Sequence, residues 1–301
     1  MRFVEESEVA AVLRMEDLIP AMRRAMIDFS QGHALQPVRR IMPVEDHGGF
    51  FGAMPAVTPD GLGAKFLTFY PENKERGLST HMALVALFDP ETGEPLVVMD
   101  GKLITEMRTA AVTAAYVDAV APRDARSLAI LGAGRQGRSH IDALSQVRPL
   151  DDIRIWSRTK DHAEELADQV AGESMSCEHA VLNADIVIAA TGSQEPILDG
   201  AWLKQGAKVA SVGWSGVEGA ELDRAAMSNV VIVDSREGTH AESGNIRRYH
   251  SKIYAELGEV LDGRRPVNAD DTVVFDSVGM ACQDIAAARL VYDKLRQLGQ
   301  K

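Results

Sequence analysis

The chain has 301 residues, of which 46% are apolar and 25% are charged. These fractions are typical of globular proteins and exclude a long disordered region, and the length suits two domains of ordinary size. The formal net charge of −12 argues against non-specific binding of nucleic acid, which requires a basic surface.

No apolar run in the sequence is long enough to span a bilayer, and the first six residues contain no apolar segment typical of a signal peptide. We therefore expect a cytoplasmic location and no membrane partner. The two cysteines lack the spacing of a metal site, so no metal is predicted.

The N-terminal part of the chain predicts a mixed α+β domain. Apolar residues recur at helical spacing over residues 7–31. Over residues 38–99, short apolar runs alternate with turn-forming segments, a pattern typical of an antiparallel sheet built from hairpins. An alanine-rich helix is then predicted over residues 108–120.

Short apolar strands alternate with helical segments after residue 126. This alternation predicts a doubly wound parallel sheet, as in a Rossmann domain, and places the chain in the α/β class. We assign residues 118–279 to the Rossmann dinucleotide-binding domain and residues 1–117 to the mixed α+β domain. The C-terminal helix within residues 280–301 is expected to pack on the first domain.

A glycine-rich loop follows the first predicted Rossmann strand and leads into a helix. It reads Gly132-Ala133-Gly134-Arg135-Gln136-Gly137. In such a loop the first glycine permits a tight turn, the second lets the backbone approach the pyrophosphate, and the third allows close packing of helix on strand. The N–H groups at the helix N-terminus then bind phosphate. The loop and its setting predict a nicotinamide dinucleotide site.

The residues after the second predicted Rossmann strand favour NADP(H). Enzymes that use NAD usually place Asp or Glu there, which accepts hydrogen bonds from the ribose 2′-hydroxyl. This chain has Ser157, Arg158 and Thr159, which can donate to a 2′-phosphate. NADP(H) is therefore the preferred cofactor, with NAD(H) as the alternative.

Several cations of the first domain indicate an acidic ligand. Lys65 lies inside an apolar strand, where a charge without a partner is costly. Arg39 and Arg40 follow a Pro-Val pair, and Arg108 opens the alanine-rich helix. Arginine and lysine beside a nicotinamide can hold a carboxylate substrate. Each of these residues also fits an edge-strand or surface cation, and the sequence alone does not bring them together.

The chain resembles the ornithine cyclodeaminase/mu-crystallin family over nearly its full length. The most specific matches are Arg-Thr-Ala-Ala at 108–111 and Gly-Ala-Gly-Arg-Gln at 132–136. The other matching segments are Met54-Pro55-Ala56, Gly63-Ala64-Lys65, Ser79-Thr80-His81, Asp89–Pro95, Leu103–Met107, Ala184–Val187, Ala190-Thr191, Ser211–Gly213, Glu256–Gly258 and Phe275–Gly279.

The resemblance implies a homodimer formed mainly through the first domain. It also implies carboxylate binding by Arg39, Lys65 and Arg108 and a substrate contact by Thr80. The matched motifs further place cofactor contacts, besides the glycine loop and residues 157–159, at Thr109, Thr191, Val212, Gly213 and Ser215.

Ser215 distinguishes between branches of the family. Cyclodeaminases and alanine dehydrogenases of this fold carry Asp at the matching position, and serine is a poor base at neutral pH. Ser215 and the run 157–160 instead resemble the mu-crystallin branch, which contains NAD(P)H-dependent ketimine reductases. The alternatives are cyclodeamination of ornithine or lysine, deamination of the alanine-dehydrogenase type, and a non-catalytic NADPH-binding role.

The resemblance thus predicts reduction of the C=N bond of a cyclic or N-substituted 2-imino acid, such as pyrroline-2-carboxylate or piperideine-2-carboxylate. The predicted catalytic residues are Lys65, Arg108, Ser215 and His81. Lys65 and His81 are the candidate proton donors, because burial lowers the pKa of a lysine and histidine titrates near neutral pH. His81 fits a structural histidine in a strand equally well.

Overall fold

The computed structural model describes residues 2–214 and 216–299. Within these residues the strands are β1 (Arg2–Val4), β2 (Arg40–Val44), β3 (Gly49–Thr58), β4 (Gly61–Phe69), β5 (His81–Phe88), β6 (Pro95–Asp100), β7 (Ser127–Leu131), β8 (Asp152–Trp156), β9 (Glu173–Ser174), β10 (Ile186–Ala189), β11 (Lys208–Ser211), β12 (Val230–Val233), β13 (Ile253–Glu256) and β14 (Val273–Asp276). The α-helices are α1 (Glu6–Val12), α2 (Met15–Ser30), α3 (Lys102–Val120), α4 (Arg135–Ser145), α5 (Lys160–Val170), α6 (Cys177–Val181), α7 (Arg236–Glu242), α8 (Gly244–Tyr249), α9 (Leu257–Leu261) and α10 (Ala281–Gln297).

The chain divides into two compact units. Unit 1 contains the residues up to Arg108 and those from Met280 onward, and unit 2 is Thr109–Gly279. The division falls inside α3, so this helix begins in unit 1 and continues into unit 2. No α-helix within the described residues is long and apolar enough to cross a membrane.

Unit 1 contains a six-stranded sheet in the order β1-β6-β5-β4-β3-β2. The hairpins predicted from the sequence are present as the antiparallel ladder from β2 to β6, and β1 adds a parallel edge strand. The helical region predicted over residues 7–31 forms two helices, because the backbone is extended at Leu13 and Arg14 and separates α1 from α2. The Arg14 guanidinium caps α1 by donating to the carbonyls of Ala10 and Ala11.

The C-terminal helix α10 packs on α2 and on the central strands of this sheet, as expected from the sequence. The approach is close, since a Cβ atom built on Gly63 of β4 would lie 2.6 Å from Ile285 Cδ1. Side chains alternate across a strand, so the face of β4 that carries Gly63 and Lys65 is the one covered by α10. The opposite face carries exposed apolar side chains, among them Phe66 and Leu84.

Unit 2 contains an eight-stranded sheet in the order β13-β12-β14-β11-β10-β7-β8-β9, in which every pairing is parallel. Strands β7, β10, β11 and β14 are buried along their whole length, as expected for parallel strands covered on both faces. The strand order reverses at β7, and dinucleotides bind at such a switch point. The α/β prediction, a doubly wound Rossmann sheet with a mixed α+β unit, is confirmed.

Candidate active site

The glycine loop at the end of β7 has the geometry of a dinucleotide-binding turn. Gly132 has φ of 121°, and a Cβ atom there would lie 2.4 Å from the carbonyl oxygen of Ala190. At Gly137 a Cβ atom would lie 2.2 Å from the Gly132 oxygen, so α4 packs directly against the loop. Side chains at either position would open the turn.

The backbone at Gly134 is accessible to a ligand. A Cβ atom built there would meet nothing within 4 Å, and Gly134 is the N-cap of α4, where no side chain caps the helix. The first N–H groups of a helix have no partner within the helix and attract anions. These features fit a dinucleotide whose pyrophosphate lies against the first turn of α4, with Arg135 and Gln136 in that turn.

His140 holds the start of α4 in place. Its Nδ1 lies 2.7 Å from the carbonyl oxygen of Gln136, and its Nε2 lies 3.1 Å from the Thr113 hydroxyl. Burial lowers the pKa of His140 to about 4, so the imidazole is neutral at physiological pH. Because a carbonyl only accepts hydrogen bonds, the neutral imidazole carries its proton on Nδ1.

The residues predicted to select the cofactor follow the C-terminal end of β8. Ser157 is half-buried, whereas Arg158 and Thr159 are exposed, and Thr159 is the N-cap of α5. Among the described residues no carboxylate forms an ion pair with Arg158. The three positions therefore present donors and no acidic side chain at this strand end.

Glu221 joins the ends of β10 and β11. One carboxylate oxygen accepts hydrogen bonds from the Thr191 N–H (2.6 Å) and hydroxyl (2.7 Å). The other accepts from the Ser211 hydroxyl (2.7 Å) and the Gly213 N–H (3.0 Å). Burial raises the pKa of Glu221, and the hydrogen bonds from Thr191 and Ser211 oppose that rise. Glu221 thereby fixes two segments that the sequence assigns to cofactor binding.

A second buried carboxylate, Asp276, continues this network. It accepts from Asn245 Nδ2 at 2.8 Å and from the Ser243 hydroxyl at 2.5 Å, and Asn245 also donates to the Ser211 hydroxyl at 3.0 Å. Burial raises the pKa of Asp276 to about 6, against the effect of Ser243 and Asn245. We call Glu221, Asp276 and the side chains that donate to them the acid cluster.

A cavity of about 40 Å³ adjoins the acid cluster and is lined in part by Gly213, Trp214 and Ser277. This volume suits a water molecule and is too small for an imino acid ring. The acid cluster therefore supports the strand ends and does not itself offer a substrate pocket. Val212 also lines this cavity, Thr109 is buried on α3, and Ser215 lies outside the described residues.

Two predicted substrate-binding cations meet in unit 1. The Lys65 ammonium lies 2.7 Å from one oxygen of Asp284, and the Arg108 Nε donates to the other oxygen at 3.0 Å. Arg108 Nη1 also donates to Gln283 Oε1 at 2.6 Å. Lys65, Arg108 and Asp284 are exposed by 2%, 4% and 0%. We call Lys65, Arg108, Gln283 and Asp284 the cation cluster.

The cation cluster is assembled from three elements. Lys65 projects from β4 between its cross-strand partners Met54 and Val85, both buried. Arg108 lies on α3, and Asp284 occupies the first turn of α10, where the helix dipole favours an acidic residue. Burial lowers the pKa of Lys65 to about 8, Asp284 opposes this shift, and Arg108 and Arg39 add to it.

The other predicted residues of unit 1 lie around the cluster at different distances. Arg39 precedes β2 and is close enough to influence the charge of Lys65. His81 pairs with Phe69, four residues along β4 from Lys65, which corresponds to about 13 Å. Its ring packs on Phe69 and accepts or donates one hydrogen bond with the Thr80 hydroxyl at 3.0 Å. The structure therefore does not bring Thr80 and His81 into contact with the cation cluster.

Burial, and then the charge of Lys74, lower the pKa of His81. The side chain is still partly open to solvent at the start of β5. A histidine in this state is mostly neutral at pH 7. Its proton-donor role has less structural support than that of Lys65.

Sequence reasoning missed three important acceptors: Asp284, Gln283 and Glu221. Asp284 lies in the predicted C-terminal helix, and a helical pattern does not show which charged residue of a helix is buried, although a buried Lys65 requires a carboxylate partner somewhere in the fold. Glu221 lies in an irregular segment between β11 and β12. No periodic pattern marks such a residue, and only its burial at 1% exposure identifies it.

The family model for the ornithine cyclodeaminase/mu-crystallin family matches residues 2–299. Ketimine reductase mu-crystallin of Mus musculus is 42% identical over 301 residues, which cover 97% of this chain and 96% of that protein. This chain is therefore similar to that reductase along almost its whole length.

Two solved structures have the same fold over 99% of this chain. Delta(1)-pyrroline-2-carboxylate reductase of Thermococcus litoralis, in complex with NADH and L-proline, has a TM-score of 0.94 and 33% identity, covering 98% of that chain. An archaeal alanine dehydrogenase dimer with bound NAD has a TM-score of 0.93 and 26% identity, covering 96% of that chain. The resemblance recognised in the sequence motifs is confirmed: the protein belongs to the ornithine cyclodeaminase/mu-crystallin family.

Proposed function

We propose that the protein is an NAD(P)H-dependent reductase that converts the C=N bond of a 2-imino acid into an amine. The observation that carries the proposal is the cation cluster, in which two buried cations share a single carboxylate, Asp284. The net positive charge that remains suits the carboxylate of an imino acid. The 42% identity to a ketimine reductase supports the same reaction.

The substrate carboxylate is bound by Lys65, Arg108 and Arg39. Arg108 donates through Nε and Nη1 inside the cluster, and within the described residues its Nη2 donates to no other group. That nitrogen is available to a substrate oxygen. Lys65 retains two further N–H groups beside its contact with Asp284.

When bound at the glycine loop, a reduced nicotinamide would supply the hydride for the imine carbon. The chain contributes by orientation, since fixing the carboxylate limits the positions that the adjacent C=N carbon can take. The glycine loop and the first turn of α4 hold the dinucleotide phosphates. Thr109, Thr191, Val212, Gly213 and Ser215 are proposed to contribute the remaining cofactor contacts.

The first experiment follows oxidation of NADPH with pyrroline-2-carboxylate and with piperideine-2-carboxylate. An ammonia assay with ornithine and NAD runs in parallel. Rapid oxidation of NADPH without ammonia release supports imine reduction. Ammonia release without net oxidation of cofactor would show a cyclodeaminase instead, and inactivity in both assays would favour the non-catalytic binding role.

We further propose that the enzyme prefers NADPH over NADH, because Arg158 and its neighbours supply donors where NAD enzymes usually place an acid. Arg158→Ala is expected to raise KM for NADPH about 10-fold and to leave KM for NADH unchanged, since only NADPH carries the 2′-phosphate. The control is Arg123→Ala, which removes an exposed arginine of the same unit. Equal effects on both cofactors would refute the assignment.

We also propose a homodimer whose interface covers the face of the unit 1 sheet opposite α10. This face carries exposed apolar side chains: Phe3 (50%), Met42 (48%), Val57 (50%), Phe66 (40%), Met82 (44%) and Leu84 (42%). Such a patch is characteristic of an interface, and the related archaeal alanine dehydrogenase is a dimer. Leu84→Lys should therefore yield a monomer by light scattering, whereas Leu182→Lys in unit 2 should not.

A cytoplasmic location stays a prediction that cell fractionation tests.

A further inference from the structure

Asp284 is a buried acidic residue that has no chemical role in the proposed reaction as described above. It lies at 0% exposure between two cations, 2.7 Å from Lys65 Nζ and 3.0 Å from Arg108 Nε. A single carboxylate that contacts both side chains fixes the distance between them. This arrangement has a chemical consequence for Lys65, the titratable member of the pair.

Reduction of a neutral ketimine requires a proton as well as a hydride. The hydride adds to the carbon, and the π electron pair of the C=N bond forms a new N–H bond with the proton. We propose that Lys65 gives this proton and that Asp284 is the positioning residue that keeps Lys65 protonated and directed at the substrate. The neutral amine of Lys65 regains a proton from solvent before the next turnover. The inference rests on the proposed reductase function.

The charged groups around Lys65 account for this role. Asp284 from α10 is the anion that stabilises the ammonium, and Arg108 from α3 and Arg39 before β2 oppose it. The partners on β3 and β5 are Met54 and Val85, which carry no charge. The Lys65 pKa of about 8 thus reflects burial balanced by one carboxylate, and an acid of this strength can both hold and release a proton near neutral pH.

Removal of the anion gives a specific result. In Asp284→Asn, Lys65 keeps two cationic neighbours and loses the anion, so its pKa should fall by about 1 to 3 units. The alkaline limb of kcat/KM should move to lower pH by the same amount. The matched control is Asp293→Asn on the same helix, whose carboxylate contacts only Arg289 within the described residues; it should retain the wild-type profile.

A binding measurement separates this inference from the reductase proposal. Pyrrole-2-carboxylate, a planar carboxylate that cannot be reduced in this way, is titrated calorimetrically into the NADPH complex between pH 6.5 and 9.5. Two buffers of different ionisation enthalpy then report how many protons are taken up on binding. Wild type and Asp293→Asn should take up a proton mainly above pH 8, and Asp284→Asn should do so at lower pH.

Lys65→Arg keeps the test decisive if Asp284→Asn does not fold. Arginine retains a positive charge at every pH used, so proton uptake on binding should disappear while the carboxylate still binds, and kcat should fall at least 10-fold. Identical pH profiles in Asp284→Asn and wild type, or proton uptake that survives in Lys65→Arg, would overturn the inference. If ketimine reduction is absent in wild type but the shifts in proton uptake occur, the reductase proposal fails and the charge assignment of Asp284 stands.

Discussion

The two buried polar clusters of this protein satisfy their charges in different ways. The cation cluster of unit 1 neutralises Lys65 and Arg108 with one carboxylate and keeps surplus positive charge. The acid cluster of unit 2 surrounds Glu221 and Asp276 with neutral donors, namely hydroxyls, an amide and backbone N–H groups. A charge compensated by hydrogen bonds alone supports the backbone, whereas a charge left over attracts a ligand.

The difference also appears in how fully each cluster is bonded. Glu221 accepts four hydrogen bonds, which use both oxygens. Within the part of the chain that the structure describes, Arg108 Nη2 donates to no group, and Lys65 has N–H groups beyond its contact with Asp284. We infer that the cation cluster is the reactive site and that the acid cluster has a structural role in unit 2. Five substitutions test this contrast.

Asp284→Ala should have the largest effect on stability. It leaves two buried cations without an anion, and breaking a buried ion pair in this way costs about 3–5 kcal/mol of unfolding free energy. Urea unfolding of wild type and variant measures the loss. Asp293→Ala, which removes a half-exposed carboxylate from the same helix, should cost less than about 1 kcal/mol; a similar loss in both variants would contradict the role assigned to the buried pair.

Lys65→Ala and Arg108→Ala should each raise KM for the ketimine about 10- to 100-fold, because each removes a charge-assisted hydrogen bond to the carboxylate. The KM for NADPH should stay near the wild-type value. Lys102→Ala serves as a control, since Lys102 makes a 3.4 Å surface ion pair with Glu6. Near-normal kinetics for both cluster variants would refute the carboxylate site.

Glu221→Gln should affect the cofactor and not the substrate anion. In wild type, hydrogen-bond donors face both carboxylate oxygens of Glu221. In the variant an amide N–H group replaces one of these oxygens and faces the same donors, which should cost about 1–3 kcal/mol of unfolding free energy. Displacement of Thr191 and Gly213 should also weaken NADPH binding, as measured by fluorescence titration, and leave carboxylate binding unchanged. Glu218→Gln, at an exposed site three positions earlier, is the control; unchanged NADPH affinity in Glu221→Gln would separate the acid cluster from the cofactor site.

At Asp276 we expect an effect on stability that is confined to a narrow pH window. Its pKa is raised from 3.8 to about 6 in the folded protein, so the native state holds this proton more tightly than the unfolded chain. Wild type should therefore lose stability relative to Asp276→Asn as the pH rises from about 4 to about 6. Urea midpoints across this range measure the difference, with Asp161→Asn as an exposed control. A difference that grows in the opposite direction would show that Asp276 ionises easily in the fold.

Much of the architecture was readable from local patterns. The glycine loop, the strand before it and the apolar runs of unit 2 predicted the Rossmann sheet, because parallel strands buried on both faces must be apolar. The short strands β9 and β13 were missed, since β9 has only two residues and is not apolar, and β13 reads Ile-Tyr-Ala-Glu without a clear alternation. The break between α1 and α2 was missed because Arg14 does not interrupt the helical spacing of the apolar residues over residues 7–31.

The family, the dinucleotide loop and the candidate cations follow from the sequence alone, because these depend on motifs and on charges within apolar strands. The sequence also required that Lys65 have a partner, without naming it. Only the tertiary structure identified Asp284, which is 219 positions further along the chain, and only it separated His81 from Lys65 along β4. Such pairings are decided by how distant segments pack, since a buried charge is stabilised by whatever side chain the fold brings within hydrogen-bonding distance.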